Sequence, residues 1–578
     1  MIKEAVYHEI DSDYAYALSK RELLVKLRTK KDDVKKVNLV YLDKYKYGRT
    51  KESFWLEMKK VASDLLFDYY EAIVEVNMIS VWYYFQLIDE NETLYYGNYK
   101  FTTRQPEDGP DVFIMPTMAE KDIFVTPDWA SEAIVYQIFP ERFCNGDPSL
   151  NPEGIQEWYS KINHRSMLGG DLPGIISKLD YLEDLGINTI YLTPIFESGS
   201  NHKYNTYDYF KIDPQFGTMD TLKELVQKAH SRGMKVVLDA VFNHCGTDFP
   251  AFKDVLEKGE ESQYKHWFDI RKFPVEVKEN PNYSTFAYHG GMPKLMTKNK
   301  EVKDYLISIA TYWIKEADID GWRLDVADEI DHDFWRDFRE AVKEVKEDAI
   351  IVGEVWYDST SWLKGDQFDS VMNYDFNNAV GEFVAGESIS PKVLGERLGF
   401  LRGLYKIPAY KALWNLIDSH DTSRFLHKAG ENPDKLKLAA FLQLTTPGAP
   451  FIYYGDEVGM TGGADPDCRR GMLWDEERQN KEVFEHYKKL ISIRKQNKAL
   501  YDGDFKTIYT DDNVYGFRRE YDMDIIDAYV NNANEEVVIK IEANTNLVDL
   551  LSGQLFESNG EKVQVRLVPK QGVIFKMA

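Results

Sequence analysis

The spacing of apolar residues changes twice along the chain. Over residues 1–125 it follows a period of two. Leu23, Val25 and Leu27 alternate with Lys26 and Arg28, and polar turns such as Lys30-Lys31-Asp32-Asp33 separate the runs. This predicts short strands in a β-sandwich, with Lys26 and Arg28 on the face opposite the leucines. Over 126–500 short, nearly all-apolar runs alternate with amphipathic stretches, as a parallel sheet covered on both faces requires. Eight candidate strands fall at 133–139, 188–194, 235–243, 321–326, 350–356, 368–373, 412–418 and 450–456. Between them Leu172, Ile175, Ile176 and Leu179 repeat at helical spacing, as do Leu222, Leu225, Val226 and Ala229, and Leu306, Ile309, Ala310 and Trp313. Eight such units predict an α/β fold, a closed (β/α)8 barrel. The stretch 244–300 is long and irregular, and reads as a small inserted domain after the third strand. Residues 501–578 return to period two: Val563, Val565 and Leu567 alternate with Gln564 and Arg566, with turn signals at Ser552-Gly553 and Asn559-Gly560. A second β-sandwich is predicted there.

Composition narrows the function. The chain has 578 residues, more than one hydrophobic core fills. Its 96 acidic residues against 71 basic ones give a net charge of −25, which argues against nucleic acid or an anionic membrane as a partner. No apolar run approaches the ~18 residues of a membrane span, and MIKEAVYHEI lacks a signal pattern, so a soluble cytoplasmic protein is expected. Cys144, Cys245 and Cys468 cannot all pair and read as free thiols of a reducing compartment. Aromatic residues make up 14% of the chain, which suits either β-rich packing or stacking on sugars.

In a barrel of this kind the active site lies at the C-terminal strand ends, and carboxylates gather there. The third strand ends DAVFNH (239–244), the fourth GWRLDVADE (321–329), the fifth GEVW (353–356) and the seventh NLIDSHD (415–421). Alternation puts Arg323 and Asp325 on one face, where the guanidinium favours an ionised carboxylate and fits Asp325 for nucleophilic attack. Glu354 follows the apolar run Ile350, Ile351, Val352 and precedes Val355 and Trp356. Apolar surroundings and nearby acids raise a carboxyl pKa, which suits a general acid. Two carboxyls in contrasting environments are the minimum equipment of a glycosidase, and Asp421 adds a third. A single acid is equally well explained as a helix cap or a partner of lysine; four strand ends together are not.

These four segments, in this order, resemble the conserved regions of the α-amylase family, glycoside hydrolase family 13. Further matches are YQIFPERF (136–143), NHKYNTYDYFKIDPQFG (201–217), MPKLMT (292–297) and DPDCRRGMLWD (465–475). Together they look like the cyclomaltodextrinase, neopullulanase and maltogenic amylase group, and the amino-terminal pattern is similar to starch-binding module family 34. The resemblance implies Asp325 as nucleophile, Glu354 as acid/base and Asp421 as transition-state stabiliser, with Arg323, His244 and His420 in support. It implies Tyr204 as a stacking platform, His202, Asp465 and Arg469 on sugar hydroxyls of the non-reducing side, and Trp356 and Phe286 along the leaving-group side. It also implies a homodimer in which the amino-terminal domain of one subunit covers the other's cleft, and an oligosaccharide substrate with no organic cofactor. The chain departs from the group's usual pattern at Met296, at Asp328 within VADE, and at Asn205 within Tyr204-Asn205-Thr206. Residue 328 lies near the acceptor side in the family.

Asn145, Asp147, Asn151, Gly169 and Asp171 offer hard oxygen ligands of the kind calcium takes, and resemble the family's calcium site. The alternative for Asp171 is a helix N-cap, with Pro173 in the first turn; Leu150 stands where relatives carry a ligand. The leading expectation is retaining hydrolysis of α-1,4-glucosidic bonds in cyclodextrins, pullulan or maltooligosaccharides. The alternatives are transglycosylation, a non-catalytic sugar-binding protein on the same fold, and a metal-dependent hydrolase with Asp239, Asp325, Glu354 and Asp421 as ligands.

Overall fold

A computed structural model describes residues 1–46, 52–98, 100–106, 111–116, 118–511 and 513–577. Its centre is a ring of eight parallel strands, numbered here β1 (Val135–Ile138), β2 (Thr189–Leu192), β3 (Lys235–Ala240), β4 (Gly321–Leu324), β5 (Ile350–Gly353), β6 (Ser370–Val371), β7 (Trp414–Leu416) and β8 (Ala449–Tyr453). Seven lie within a predicted strand, and β8 begins one residue before its own. Neighbours pair in chain order, β8 pairs back to β1, and a parallel bridge between Met372 and Trp414 closes the seam between β6 and β7. All residues of β4, β5 and β8 are buried. That is why these strands read as nearly all-apolar runs: helices cover the outside while Val135, Tyr191, Val237, Val352 and Trp414 pack together within.

The helices bury the stripes read from the sequence. Leu222, Leu225, Val226 and Ala229 are the buried residues of Met219–His230, and Leu306, Ile309, Ala310 and Trp313 are buried in Lys300–Ala317. The first stripe is divided: helices Leu172–Ser177 and Leu179–Leu185 meet at Lys178, whose backbone (φ −109°, ψ 7°) leaves the helical region. The insertion after β3 is held by helix Pro250–Lys258 and by isolated bridges such as His244 to Lys294 and Thr285 to Pro293. These bring 286–294 back over the strand ends. The loop after β2 forms a hairpin, Phe196–Ser198 with Thr206–Ile212, that carries 201–205 into the same region.

Two sandwiches flank the barrel. In the carboxy-terminal one, Val563, Val565 and Leu567 are fully buried and the polar residues between them are exposed, as the alternation requires. The amino-terminal one buries Leu23, Val25 and Leu27 in the same way, but its second face differs from expectation. Lys26 is fully buried, because that face packs on barrel helix Pro391–Leu404. Its Nζ donates to the Gly403 carbonyl at 2.9 Å and lies 3.6 Å from Glu71, which accepts two bonds from Arg402 at 2.7 and 2.6 Å. Alternation shows that a second face exists, and says nothing of what covers it. Among the described residues no helix is long and apolar enough to cross a membrane.

Candidate active site

Arg323 is the hub of the site. It is fully buried in β4, in register with Asp239 of β3. Nη1 donates to both oxygens of Asp239 at 3.1 Å and to Asp325 Oδ1 at 2.8 Å. Nη2 lies 2.8 Å from Glu354 Oε2, an ion pair without hydrogen-bond alignment. One cation thus gathers three carboxylates from three successive strand ends. Tyr191 and Tyr204 donate to Asp239 Oδ2 at 2.6 and 3.0 Å, which commits that carboxylate to holding the hub.

Arg323 pulls Asp325 in the expected direction, toward the ionised form, but it acts against burial and two further acids. Burial drives Asp325 well up; Arg323 pulls it down, but Glu354 and Asp239 push it further up. Glu354 is also raised, by burial and by Asp421, against the pull of Arg323. Asp239 is pushed up to about 6 by burial. A single guanidinium divided among three buried acids cannot neutralise them all, so Asp325 and Glu354 compete for a proton and titrate as a unit. The aligned bond from Nη1 favours the charge on Asp325 and the proton on Glu354.

The chain next to these acids is under strain. Val326 has φ +45°, a left-handed conformation costly for a β-branched residue, and this turns its N–H onto Glu354 Oε2 at 3.0 Å. No signal in the spacing of GWRLDVADE announces this.

On the β7 side Asp421 lies 3.0 Å from Arg469 and 3.1 Å from His420 Nε2. Arg469 also reaches Asp465 at 3.1 Å and donates from Nε to the His420 carbonyl at 2.7 Å. His420 is held by Gln137 at 2.7 Å and meets the Tyr204 hydroxyl at 2.6 Å, and burial keeps its imidazole neutral. The rings of His202 and His420 lie nearly parallel to that of Tyr204, with centroids 5.9 and 5.5 Å from it. Burial lowers His202 and His244 to about 3, leaving both uncharged hydrogen-bonding groups. His244 lies under Phe286, centroids 5.0 Å apart, and its buried Nε2 has no protein partner. Trp356 forms the wall beside Glu354.

These residues enclose a cleft of about 530 Å³ that is lined by Asp325, Glu354, Asp421, Tyr204, His202, His244, Phe286, Trp356, Asp465 and Arg469. The sequence-predicted catalytic and substrate-binding residues therefore converge, with Arg323 and His420 immediately behind the wall. Sequence reasoning missed Val326, Arg142, Met292 and Pro466 in the lining, and Tyr191 and Gln137 behind it. Gln137 was findable as a polar residue in an all-buried strand. Asn205 accepts from Ser198 at 2.8 Å and Ser200 at 2.5 Å, an acceptor role its amide oxygen fills. With Arg323 seated among Asp239, Asp325 and Glu354, the hub already holds its cation. Among the described residues no three His, Cys, Asp or Glu side chains converge as metal ligands.

The calcium expectation falls elsewhere, outside the cleft. Asn145 Nδ2 donates to Asn151 Oδ1 at 2.7 Å, while the buried Asn145 Oδ1 has no partner. Gly169 (φ +79°) closes against both amides: a Cβ there would stand 2.5 Å from Asn151 Oδ1. Asp171 caps the helix Leu172–Ser177, accepting from Gly146, Asp147 and Gly174 at 2.6–2.9 Å. The Asp147 carboxylate turns to Ser149 instead of the cradle. Asn145, Asn151 and Gly169 thus fit a hard cation, with Asp171 behind them and Asp147 turned away.

The fold and site define a barrel enzyme with its carboxylates at the strand ends, and comparison places it. The chain belongs to the α-amylase family: the alpha amylase catalytic domain matches residues 137–503 and the alpha amylase N-terminal ig-like domain matches residues 1–119. Within that family it falls with the cyclomaltodextrinase, neopullulanase and maltogenic amylase group. It is 48% identical over 579 residues to the cyclomaltodextrinase of Thermoanaerobacter pseudethanolicus, covering 100% of each chain. It is 45% identical to neopullulanase 2 of Thermoactinomyces vulgaris, covering 99% of each. A solved cyclomaltodextrinase structure superimposes with a TM-score of 0.96 at 42% identity, covering 100% of both chains.

Proposed function

We propose that this protein is a retaining α-glucan hydrolase that cleaves α-1,4-glucosidic bonds in cyclodextrins, pullulan and maltooligosaccharides. The observation that carries the reading is the Arg323 hub: Asp325 and Glu354 each lie 2.8 Å from different nitrogens of one guanidinium, in a cleft walled by sugar-stacking rings. A retaining enzyme needs its two carboxyls about 5–5.5 Å apart. In the first step Asp325 attacks the anomeric carbon. The bond to the leaving sugar breaks, and its electron pair goes to the glycosidic oxygen, which takes the proton of Glu354. In the second, water gives a proton to Glu354 while its oxygen attacks the same carbon and releases the Asp325 carboxylate. Asp421, held by Arg469 and beside neutral His420, faces the positive charge that develops on the sugar ring. Tyr204 offers its face to that ring, and His202, Asp465 and Arg469 its hydroxyl partners.

The reading extends to two features outside the chemistry. Asn145, Asn151 and Gly169 would hold a calcium ion, which when bound would brace the loop that leads into Asp171. The amino-terminal sandwich exposes Phe54, Trp55, Leu65, Leu66 and Ile79, apolar surface suited to pairing with a second copy.

The test is a substrate panel of β-cyclodextrin, pullulan, starch and maltotriose, with the Glu354→Gln protein as control and the anomer of the first product read by proton NMR. Initial formation of the α-anomer with loss of turnover in Glu354→Gln supports the reading. A β-anomer, or turnover that survives Glu354→Gln, overturns it.

A further inference from the structure

One residue of the cleft wall touches the acid itself. The indole of Trp356 lies flat on the buried ring of Tyr374, centroids 3.8 Å apart and planes 13° from parallel. One face is thereby taken, and the other is left to the cleft; the residue is 47% exposed. This stacking fixes the edge of the indole, and Nε1–H donates to Glu354 Oε1 at 3.2 Å. The second oxygen of Glu354 already accepts from the Val326 N–H at 3.0 Å and lies 2.8 Å from the charged Nη2 of Arg323. A proton placed on Oε2 would confront that donor and that cation. On Oε1 it meets the indole N–H alone, and that oxygen keeps a lone pair to accept it.

We infer that Trp356 is a positioning residue for Glu354: aimed by Tyr374, its N–H assigns the acid proton to Oε1 and supports the carboxylate that remains once this proton has gone to the leaving sugar. The inference rests on the reading of Glu354 as acid/base. When the glycosidic bond breaks, the proton moves from Oε1 to the departing oxygen, and the charge arising on Glu354 is met by the N–H groups of Trp356 and Val326 and by Arg323. A donor bonded to a carboxylate favours the ionised form, so the indole opposes the upward push of burial on Glu354. The other titratable and charged groups around this carboxyl are Arg323 and Asp325 at the end of β4, Asp239 of β3, Asp421 beyond β7, Tyr191 of β2 and Tyr374 beyond β6. A substitution at Trp356 leaves every one of them in the chain.

Trp356→Phe keeps a ring on Tyr374 and removes the N–H. In the pH profile of kcat/KM on β-cyclodextrin, the alkaline limb should move up by about half to one pH unit, and plateau kcat should fall about fivefold. Tyr374→Leu keeps the N–H and loosens its aim; it should move the same limb the same way by less. An unmoved limb in Trp356→Phe, with kcat merely lowered, would make the indole a sugar wall and nothing more, and would overturn the inference. Glu354→Gln separates the two readings. If it abolishes turnover while the Trp356→Phe limb stays put, only this inference fails; if it remains active with an unchanged profile, the acid/base assignment fails first.

Discussion

Arg402→Ala probes how the amino-terminal sandwich is held against the barrel. Glu71 is buried, and its two shortest bonds, 2.7 and 2.6 Å, both come from Arg402; among the described residues the other cation in contact is Lys26 at 3.6 Å. Burial pushes the Glu71 carboxyl up, and Arg402 and Lys26 outweigh it and hold the pKa below the usual value. Removing one partner of a buried pair leaves a charge without compensation and costs about 3–5 kcal/mol. With a urea slope of about 2–3 kcal/mol/M, the unfolding midpoint should fall by about 1–2 M, read by tryptophan fluorescence. Replacing all three charges, Lys26→Met with Glu71→Leu and Arg402→Met, should recover most of that loss, since a well-packed apolar substitute is often as stable as the ions. Lys26 supplies a pH signature. Burial pushes its amine down to about 8, below the unfolded value, so the unfolded chain binds the extra proton between about pH 8 and 10.5. Stability contributed at this site therefore rises with pH across that window, and Lys26→Met should flatten the rise. A midpoint for Arg402→Ala within about 0.3 M of the parent, on an unchanged slope, would refute the view that this cluster fastens the two domains.

Four further outcomes are expected. Because Asp325 and Glu354 are both raised, the profile of kcat/KM should fall on the alkaline side as Glu354 loses its proton, and on the acid side as Asp325 gains one; both limbs should lie above the ordinary carboxylate value of about 4.3, and a lower alkaline limb would contradict the buried hub. Isothermal titration of calcium into chelator-stripped protein should give one site per chain, lost in Asn145→Ala, and a flat titration would remove the cradle. Sedimentation at micromolar concentration should give a dimer, weakened by Trp55→Asp, and a monomer would count against pairing through the sandwich. Asp328, on the cleft wall, accepts from Tyr357 at 2.7 Å; Asp328→Asn should lower transfer to excess maltose about threefold to tenfold by weakening an acceptor hydroxyl bond, with hydrolysis changed less. An unaltered transfer ratio would place Asp328 outside the acceptor site.

Some of this was legible in the chain, and the reason lies in conflict between a residue and its setting. A strand buried on both faces has no ordinary place for a charge, so Asp239 and Arg323, each within an apolar run, announced themselves; Gln137, polar but uncharged in an all-buried strand, gave the same signal unread, and all three are in the site or directly behind it. Asn415 obeys the same rule with a structural outcome: in all-buried β7, it accepts from Asn373 at 2.8 Å across the barrel seam. Lys26 raised no conflict, because on an alternating strand a polar residue at every second place is the norm. Its burial depends on a helix whose contact residue, Gly403, is 377 positions away, which no local period encodes. The setting of Asp325 was only half legible, for a related reason. Spacing along β4 gives it Arg323 as a neighbour, while the register of β3 and β5 gives that same guanidinium two more acids. Strand periodicity finds the charges that matter; how they divide a cation among them is set by pairing across strands, and that division decides which carboxyl holds the proton.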